Sequence, residues 1–377
     1  MSNINTNQPF KDKSLRKPRI LVAPLDWGLG HATRCIPIIR ELLKQEAELW
    51  IAGEGSQKEL LLEEFPALSF LPLPGYRVKY AQSGLGLLFN MLRQTRQILS
   101  AIKNENSWLK EMVTTLGFDA VISDNRYGLY NTATHTVFIT HQLVIKSPLG
   151  KWTEKILQQK NYKYINYFNE CWVPDIHDAE DSLAGALSHP KTKPAIPVSY
   201  IGPLSRFELT GGPIKNNHLL VILSGPEPQR TLLEEKIIKD IAHYPFTATI
   251  VRGLPGSESI IPSTGMIKFY NHLPASALNK EMEQAAYVIS RSGYSTIMDL
   301  MKLKKKSILI PTPGQTEQEY LGDYLSKKQW LLCVTQKDFS LTDSLKKAEQ
   351  FSYQFPSLQT EQNLEQAISD LLEKCMR

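Results

Sequence analysis

The stretch "RILVAPLDWGLGHATRCIPII", residues 19–39, decides the fold of the first half of the chain. It opens with a short apolar run. Apolar residues then recur at helical spacing within the stretch and just after it, at Cys35, Ile38, Ile39 and Leu42. A turn that contains two glycines separates the run from the helical pattern. The stretch therefore predicts a β-strand, a tight turn and an α-helix, which is the unit from which parallel sheets are built.

Short apolar runs return along the whole chain, with amphipathic or turn-rich segments between them. The first half continues with "AELWIAG", "LSFLPL", "FDAVISD", "TVFIT" and "ECWVPD", and the second half has "HLLVILSG", "FTATIVRG", "MIKFYNHL", "AAYVISRSG", "KSILIPTPG" and "QWLLCVT". The intervening "YIGPLSRFELTGGP" has little apolar periodicity and is typical of a linker. The sequence thus predicts an α/β protein with two facing, Rossmann-like, doubly wound domains and a cleft between them.

The length of 377 residues exceeds what one hydrophobic core usually organises. We predict a disordered tail at 1–17, a first domain at 18–203, a second domain at 204–355, and a C-terminal helix at 356–377 that could pack back on the first domain. No stretch approaches the roughly 18 uninterrupted apolar residues of a spanning helix, and the first residues lack the apolar core of a signal peptide. We expect a cytoplasmic protein, soluble or peripheral at the inner face of the membrane.

Composition excludes several classes of protein. The net charge of +5 is only mildly basic, and no aromatic-interleaved Lys/Arg cluster accompanies it, so nucleic acid is not an expected partner. The four cysteines are far apart with no CxxC pair, which argues against a zinc knuckle or a disulfide scaffold. Neither a metal site nor a cofactor is predicted.

One segment, residues 85–110, has the pattern of a basic amphipathic helix. Basic and apolar side chains would occupy different faces: Arg93, Arg96, Lys103 and Lys110 on one, and Leu88, Leu92, Leu99, Ile102 and Leu109 on the other. Such a helix can bind an anionic membrane reversibly. An ordinary surface helix with a core-facing leucine stripe fits the same pattern, so both interpretations stay open.

The glycine turn after the first strand is the first candidate site. Gly28 and Gly30 lie at a strand end, where a missing Cβ permits positive φ or close approach to a ligand. His31 then falls in the first turn of the helix, whose free N–H groups favour an anionic ligand. The spacing is not GxGxxG, and the chain contains no Walker A sequence. A turn that the glycines merely shape and His31 merely caps is the structural alternative.

The second half has three comparable turns at predicted strand ends. In "SRSGYSTIMDL", Ser292, Gly293, Ser295 and Thr296 can offer amides and hydroxyls to a phosphate, and Asp299 can accept hydrogen bonds from ribose. The turns "LSGPEPQR" and "PTPGQTEQE" can add contacts to phosphate and sugar hydroxyls. Each turn alone is ordinary. Four at matching strand ends predict a ligand-binding cleft.

These motifs carry a family resemblance. "WGLGHATR", "SRSGYSTIMDL" and "PTPGQTEQEYLGDYL", in this order, resemble the two-domain GT-B glycosyltransferases of the MurG-like group and of family 28, over nearly the whole chain after the tail. "FITHQLVIKSP" is similar to the HEQN segment of that family near the acceptor, and "GPLSR" to its interdomain stretch. The resemblance implies a UDP-linked sugar donor and a lipid or saccharide acceptor.

The resemblance also implies roles for individual residues. The implied donor contacts are Arg206 and Tyr270 for the base, Ser224, Gly225, Ser292 and Gly293 for the diphosphate, Asp299 for the ribose, and Gln318 and Glu319 for the sugar. The expected acceptor side comprises Arg34, Arg126, Tyr127, His141 and Gln142. This chain departs from the family pattern at Asp299, where glutamate is usual, and at Gly314 and Gly322, where histidine and asparagine are usual.

The expected chemistry is an inverting transfer that needs no metal ion. A neutral histidine suits removal of the acceptor proton, so His31 is the predicted base. Asp124, at the end of "DAVIS", could orient His31 or the acceptor, or be a salt-bridged structural residue. Helix N-terminal amides with Arg230 or Arg291 could stabilise the leaving diphosphate.

Two other functions fit parts of the pattern. A nucleotide-sugar hydrolase carries a similar GxGHxxR loop, matched by Gly28, Gly30, His31 and Arg34, and would use His31 to activate water. A non-catalytic sugar-nucleotide binding protein would be compatible with the departures at Asp299, Gly314 and Gly322.

Overall fold

The computed structural model describes residues 16–76, 87–358 and 361–376. Within these residues it forms one parallel sheet of seven strands and another of six. This confirms the predicted α/β class with two doubly wound halves. Residues 1–15 of the predicted tail, and the start of the predicted basic helix at 85–86, lie outside the described residues.

The first sheet spans the N-terminal half of the chain. Its elements are β1 (Arg19–Pro24), α1 (Leu29–Lys44), β2 (Glu48–Gly53), α2 (Gly55–Glu64), β3 (Ser69–Pro72), α3 (Leu87–Leu116), β4 (Ala120–Asp124), β5 (His135–Ile139), α4 (Lys151–Ile165), β6 (Glu170–Val173) and β7 (Val198–Tyr200). The strand order is β3-β2-β1-β4-β5-β6-β7, so the winding reverses between β1 and β4. Open α/β sheets bind ligands at this switch point. The sequence analysis missed β7, because a three-residue edge strand gives almost no periodic signal.

The second sheet repeats this plan. Its elements, with the helices that follow, are β8 (Leu219–Ile222), α5 (Gln229–Ile241), β9 (Ala248–Val251), β10 (Ile267–Tyr270), α6 (Ala275–Gln284), β11 (Tyr287–Ser290), α7 (Tyr294–Lys302), β12 (Ser307–Leu309), α8 (Thr316–Lys327), β13 (Leu332–Cys333), α9 (Leu341–Gln350) and α10 (Glu361–Met376). The order β10-β9-β8-β11-β12-β13 puts its switch point between β8 and β11. The two switch points supply the loops of the candidate site.

The last helix, α10, packs against the first domain. Ile368 and Leu371 are buried in one continuous apolar cluster with Ile36 of α1. Ser369 Oγ lies 3.0 Å from Gln45 Oε1, and Lys374 forms a 3.0 Å ion pair with Glu170. The C-terminal helix therefore ties the end of the chain to the first sheet.

Helix α3 contains the described part of the predicted basic segment. Arg96, Lys103 and Lys110 are exposed, as expected for a basic face. Ile102 and Leu109, however, are buried in the first domain, while Leu99 is 46% exposed. At Ile102 and Leu109 the structure agrees with the alternative of an ordinary surface helix with a core-facing stripe, because the helix uses these residues to pack on its own domain. In the parts of the chain that the structure describes, no helix is both long and apolar enough to span a membrane.

Candidate active site

The glycine turn after β1 carries His31 to the carboxyl edge of the first sheet. Gly28 precedes α1 and has a φ of 78°, a left-handed conformation that glycine adopts without steric penalty. His31 is the third residue of α1, and its Nδ1 lies 3.2 Å from Oδ2 of Asp124 at the end of β4. The His31 side chain is 15% exposed, whereas that of Asp124 is fully buried. The two side chains form an aspartate–histidine pair at the switch point.

Gly30 serves the contact between the two domains. The Ser295 hydroxyl, in the first turn of α7, donates a 2.8 Å hydrogen bond to the Gly30 carbonyl. A Cβ at position 30 would lie 2.9 Å from Ser295 Oγ, closer than real Cβ atoms come. The missing side chain at Gly30 thus admits the second domain, and it brings α7 next to His31.

Arg34 completes the charged cluster around His31. Its guanidinium forms a bidentate pair with Asp124, in which Nε lies 2.6 Å from Oδ2 and Nη2 contacts Oδ1. Nη2 also lies 2.9 Å from His31 Nδ1. Because Arg34 is buried, the pair is screened little by solvent. Arg34 therefore lies behind the histidine ring, where it contacts Asp124 and His31 rather than projecting toward an acceptor.

The cluster sets the protonation states of His31 and Asp124. Burial lowers the pKa of His31 below its ordinary 6.5, and Arg34 lowers it further against the opposing charge of Asp124. Burial alone would raise the pKa of Asp124, but Arg34 and His31 outweigh it and lower that pKa to about 2. At neutral pH the ring is neutral and the carboxylate is ionised. This is the state that a general base requires.

Two residues that the sequence analysis did not select extend this cluster into the second domain. Glu317, in the first turn of α8, places Oε1 2.7 Å from Nε2 of His141. Tyr294, at the start of α7, stacks on the His141 ring with centroids 4.1 Å apart. His141 Nδ1 in turn lies 3.1 Å from Arg34 Nη1. Glu317 was visible in "PTPGQTEQE", but only the fold shows which carboxylate of that run faces His141.

Other residues predicted on the acceptor side have partners inside the first domain. Arg126 is fully buried, and its Nε lies 2.6 Å from Glu105 Oε1. Its guanidinium lies in the core and holds α3 to the sheet, and a role of Arg126 on the acceptor side stays a prediction. The Tyr127 hydroxyl donates to Asn161 at 2.8 Å, and the backbone carbonyl of Gln142 accepts from the same side chain at 3.0 Å.

On the second domain, the loop after β8 presents Ser224 and Gly225 at the switch point. Gly225 has a φ of 102°. Two buried polar atoms close to it, Nε of Arg291 and Oγ1 of Thr312, have no hydrogen-bond partner among the described residues. A Cβ at Gly225 would lie 3.4 Å from Thr312 Oγ1 and 4.0 Å from Arg291 Nε. The exposed backbone of Gly225 therefore lies next to two buried donors without a partner, the Arg291 Nε–H and the Thr312 hydroxyl.

Arg291 and Arg230 differ in their surroundings. Arg291 donates to the carbonyls of Ile310 and Gln229, at 3.2 and 2.6 Å, and burial lowers its pKa to about 10. Arg230 instead pairs with Glu227 at 2.6 Å and Glu234 at 3.1 Å. The contact of Arg230 with a diphosphate stays a prediction, and its guanidinium is balanced here by two carboxylates.

The loop between β12 and α8 is shaped by the residues predicted to hold the sugar. Gln318 Oε1 accepts from the Thr312 N–H at 2.9 Å, and Glu319 Oε1 accepts from the Gly314 N–H at 2.9 Å. The Ser292 hydroxyl donates to the Gln318 carbonyl at 2.8 Å. Gln318, Glu319 and Ser292 thus fix the two loops of the second domain relative to each other, next to Gly293 and Thr296 at the start of α7.

Two of the predicted nucleoside contacts, Asp299 and Arg206, lie together where α7 faces the linker. Ser205 donates to Oδ1 of Asp299 at 2.7 Å, and Nε of Arg206 is buried with no partner among the described residues. Burial raises the pKa of Asp299 to about 6, although Arg206 and Ser205 oppose it. Tyr270 is partly exposed at the carboxyl end of β10. In the described parts of the chain, no three His, Cys, Asp or Glu residues are grouped to hold a metal ion.

Known proteins resemble the chain in sequence and in fold. Residues 267–374 match the glycosyltransferase family 28 C-terminal domain. The UDP-N-acetylglucosamine--N-acetylmuramyl-(pentapeptide) pyrophosphoryl-undecaprenol N-acetylglucosamine transferase of Buchnera aphidicola subsp. Schizaphis graminum is 23% identical over 316 residues, 82% of each chain. The kitacinnamycin glycotransferase structure aligns with a TM-score of 0.62 at 13% identity, over 96% of this chain and 95% of that one. Acinetobacter baumannii MurG aligns at 0.52 and 13% identity, over 94% and 100%.

The two facing sheets and the matched domain define a nucleotide-sugar-dependent glycosyltransferase of the GT-B fold. More particularly, the chain resembles the MurG-like glycosyltransferases along most of its length, and its residues 267–374 match the C-terminal domain of family 28.

Proposed function

We propose that this glycosyltransferase moves a sugar from a UDP-linked donor to a hydroxyl of a lipid-linked or saccharide acceptor, with inversion and without a metal ion. The observation that carries the proposal is the position of the His31–Asp124 pair, which the Ser295–Gly30 hydrogen bond joins to the start of α7. The Buchnera aphidicola relative is named for UDP-N-acetylglucosamine and a pyrophosphoryl-undecaprenol acceptor. This supports an N-acetylhexosamine as the first donor to test.

His31 acts as the general base in this mechanism. His31 can act as the base in the tautomer that carries its proton on Nδ1, where Asp124 Oδ2 accepts it at 3.2 Å. In that tautomer Arg34 Nη2, 2.9 Å from Nδ1, donates to Asp124 Oδ1 and not to the ring. The ring then has a free lone pair on Nε2, which no described residue engages in a hydrogen bond. Nε2 takes the proton of the acceptor hydroxyl as the hydroxyl oxygen attacks the anomeric carbon. Asp124 stabilises the imidazolium that forms, and the depressed pKa of His31 keeps the ring neutral before each turnover.

The second domain receives the leaving group. As the bond between the anomeric carbon and the diphosphate oxygen breaks, negative charge grows on the UDP diphosphate. Two fixed dipoles stabilise this charge, from the N-terminus of α7 and from the Gly225 backbone. Arg291 adds a cation, with its unpartnered Nε. Asp299 accepts hydrogen bonds from the ribose, and Arg206 lies beside the uracil of the nucleotide.

Turnover with purified components tests the proposal. The protein is incubated with UDP-N-acetylglucosamine and other UDP-sugars, with and without a membrane lipid extract and with EDTA, and UDP release is measured. We expect release that depends on the extract and persists in EDTA. Release in water alone would instead favour a hydrolase with His31 activating water, and binding without release would favour a non-catalytic binding protein.

A reversible contact with an anionic membrane surface at the cytoplasmic face is part of the proposal. Within residues 85–110, Arg96, Lys103 and Lys110 form an exposed basic row. Elsewhere on the first domain, Leu149 and Trp152 are each 74% exposed beside the basic Lys151 at the start of α4. Basic residues attract anionic lipid, and exposed tryptophan suits the membrane interface.

Vesicle sedimentation separates this contact from ordinary surface charge. We expect binding to vesicles that contain phosphatidylglycerol and weak binding to pure phosphatidylcholine. We also expect release in 0.5 M salt, because the Debye length falls from about 10 Å at 0.1 M salt to about 4 Å. Replacing Arg96, Lys103 and Lys110 by Gln should reduce binding. Replacing Lys239, Lys346 and Lys347, three exposed lysines of the second domain, by Gln is the matched control. Equal binding of all variants would contradict the contact.

A further inference from the structure

His141 belongs to the first domain but is held by the second. Glu317 Oε1 lies 2.7 Å from its Nε2, and Tyr294 covers one face of the ring at an interplanar angle of 10°. The Tyr294 hydroxyl is itself fixed by the carbonyl of Pro174, at 2.8 Å. Two elements of the donor-binding domain, α7 and α8, thus fix a ring of the domain that carries His31.

The hydrogen bonds of His141 determine its tautomer. Arg34 is always a donor, so its Nη1, 3.1 Å from His141 Nδ1, requires a lone pair on Nδ1. The neutral ring then carries its proton on Nε2, where the Glu317 carboxylate accepts it. A proton on Nδ1 would instead face an Arg34 N–H group. Glu317 therefore selects the tautomer that lets Arg34 keep its present position.

Arg34 transmits this selection to the base. The same guanidinium contacts His141 through Nη1, Asp124 through Nε and Nη2, and His31 through Nη2. A shift of Arg34 would move the partner that fixes the Asp124 carboxylate against the His31 ring. The charged or titratable groups around His31 are Arg34, Asp124 and His141. Cys35 contacts Asp124, and Glu317 contacts His141.

We propose that Glu317 is a positioning residue for the base His31. Glu317 acts through His141 and Arg34, and it holds His31 in its catalytic orientation only when the donor domain is closed on the acceptor domain. The proposal rests on the proposed function, since it assumes that His31 is the base. It explains why a carboxylate of the donor domain reaches across the cleft to a buried histidine. The Glu317 side chain keeps 33% exposure, so opening of the cleft would return it to solvent.

Three variants separate positioning from simple domain contact. Glu317→Ala removes the acceptor for the His141 proton. Glu317→Gln keeps an acceptor oxygen at the same place. Tyr320→Phe, one helical turn further along α8, removes a different interdomain hydrogen bond, the 2.7 Å bond from the Ala186 N–H to the Tyr320 hydroxyl.

Kinetics on the full-length protein give the first readout. We expect Glu317→Ala to lower kcat about tenfold, a part of the roughly 10²–10⁴-fold that a general base contributes. Its KM for the UDP-sugar should change less than twofold. Glu317→Gln should recover most of kcat, and Tyr320→Phe should stay within twofold of the wild type. An unchanged kcat in Glu317→Ala, or an equal loss in Tyr320→Phe, would overturn the proposal.

Imidazole ¹⁵N NMR gives a readout that does not depend on turnover. The His141 signals are assigned from their absence in His141→Gln. We expect a protonated Nε2 and an unprotonated Nδ1 in the wild type and in Glu317→Gln, and loss of this single tautomer in Glu317→Ala. The same tautomer in all three proteins would overturn the proposal. Absent turnover on every UDP-sugar would refute the proposed function instead, while the NMR result would still decide the role of Glu317.

Discussion

The two sides of the cleft carry different chemistry at equivalent places in two similar sheets. At the first switch point, ionisable side chains contact one another: His31, Arg34 and Asp124 lie within 3.2 Å of a neighbour. At the second, glycine backbone and hydroxyls dominate, with Arg291 as the cation. Proton transfer needs groups whose pKa is tuned by neighbouring charges, whereas a diphosphate needs fixed donors. In the proposed function, the same fold thus divides the reaction between its halves.

The largest effect should come from His31. His31→Gln removes the base but leaves the second domain intact, so we expect kcat to fall by about 10²–10⁴-fold. The Kd for the UDP-sugar, measured by calorimetry, should stay within about twofold. His243→Gln, an exposed histidine of the second domain, is the matched control. A variant that keeps more than about a tenth of the wild-type rate would show that another group removes the proton.

Asp124 should have the next largest effect, on stability as well as rate. Asp124→Asn leaves the buried Arg34 without its charged partner, and breaking such a pair costs about 3–5 kcal/mol of unfolding free energy. Urea denaturation measures this loss, and the donor side should keep its affinity in the folded fraction. Because the pKa of Asp124 is lowered to about 2, its contribution to stability is present above the ordinary 3.8 and is lost as the pH falls through 2. Equal urea midpoints for Asp124→Asn and the wild type would contradict this.

The sequence was sufficient for most of the fold because nearly every strand is a short apolar run, separated from the next by an amphipathic or turn-rich segment. It was also sufficient for His31, since a histidine directly after a glycine turn must lie at the carboxyl edge of a parallel sheet. The strand β7 escaped notice because an edge strand of three residues has too few positions for alternation to show.

The interactions across the cleft could not be read from the sequence. Glu317 and His141 are separated by 175 intervening residues, and only the closed arrangement of the domains brings them to 2.7 Å. For Arg126 and Arg230, the sequence shows a basic residue near a strand end but not the carboxylates, Glu105 and Glu234, that neutralise it. Propensity and periodicity report the face of an element, and the partners depend on tertiary packing.

A substitution at Gly225 tests the donor side of the comparison. Gly225→Ala introduces a Cβ next to Arg291 Nε and Thr312 Oγ1, so we expect the Kd for UDP to rise about tenfold or more through lost contacts with the diphosphate. The positive φ strains this variant and its control alike, by about 1–3 kcal/mol. Gly256→Ala is the control, because Gly256 also has a positive φ, 76°, but a Cβ there would meet no atom within 4 Å. Equal Kd values for the two variants would remove the Gly225 loop from the diphosphate site.

The smallest effect should come from Asp299, and it sharpens the comparison because it introduces one titratable group on the donor side. Its pKa is raised to about 6, so the carboxylate that we propose to accept ribose hydrogen bonds forms as the pH rises through 6. The affinity for a UDP-sugar should therefore rise about fivefold between pH 5 and pH 7, the value of about one hydrogen bond. The sign for folding is opposite: with a raised pKa, the contribution to stability is full below 3.8 and is lost as the pH rises through 6. Asp299→Asn should bind more weakly at pH 7 and lose the slope in both measurements, whereas an unchanged slope would assign the titration to another group and remove Asp299 from the ribose.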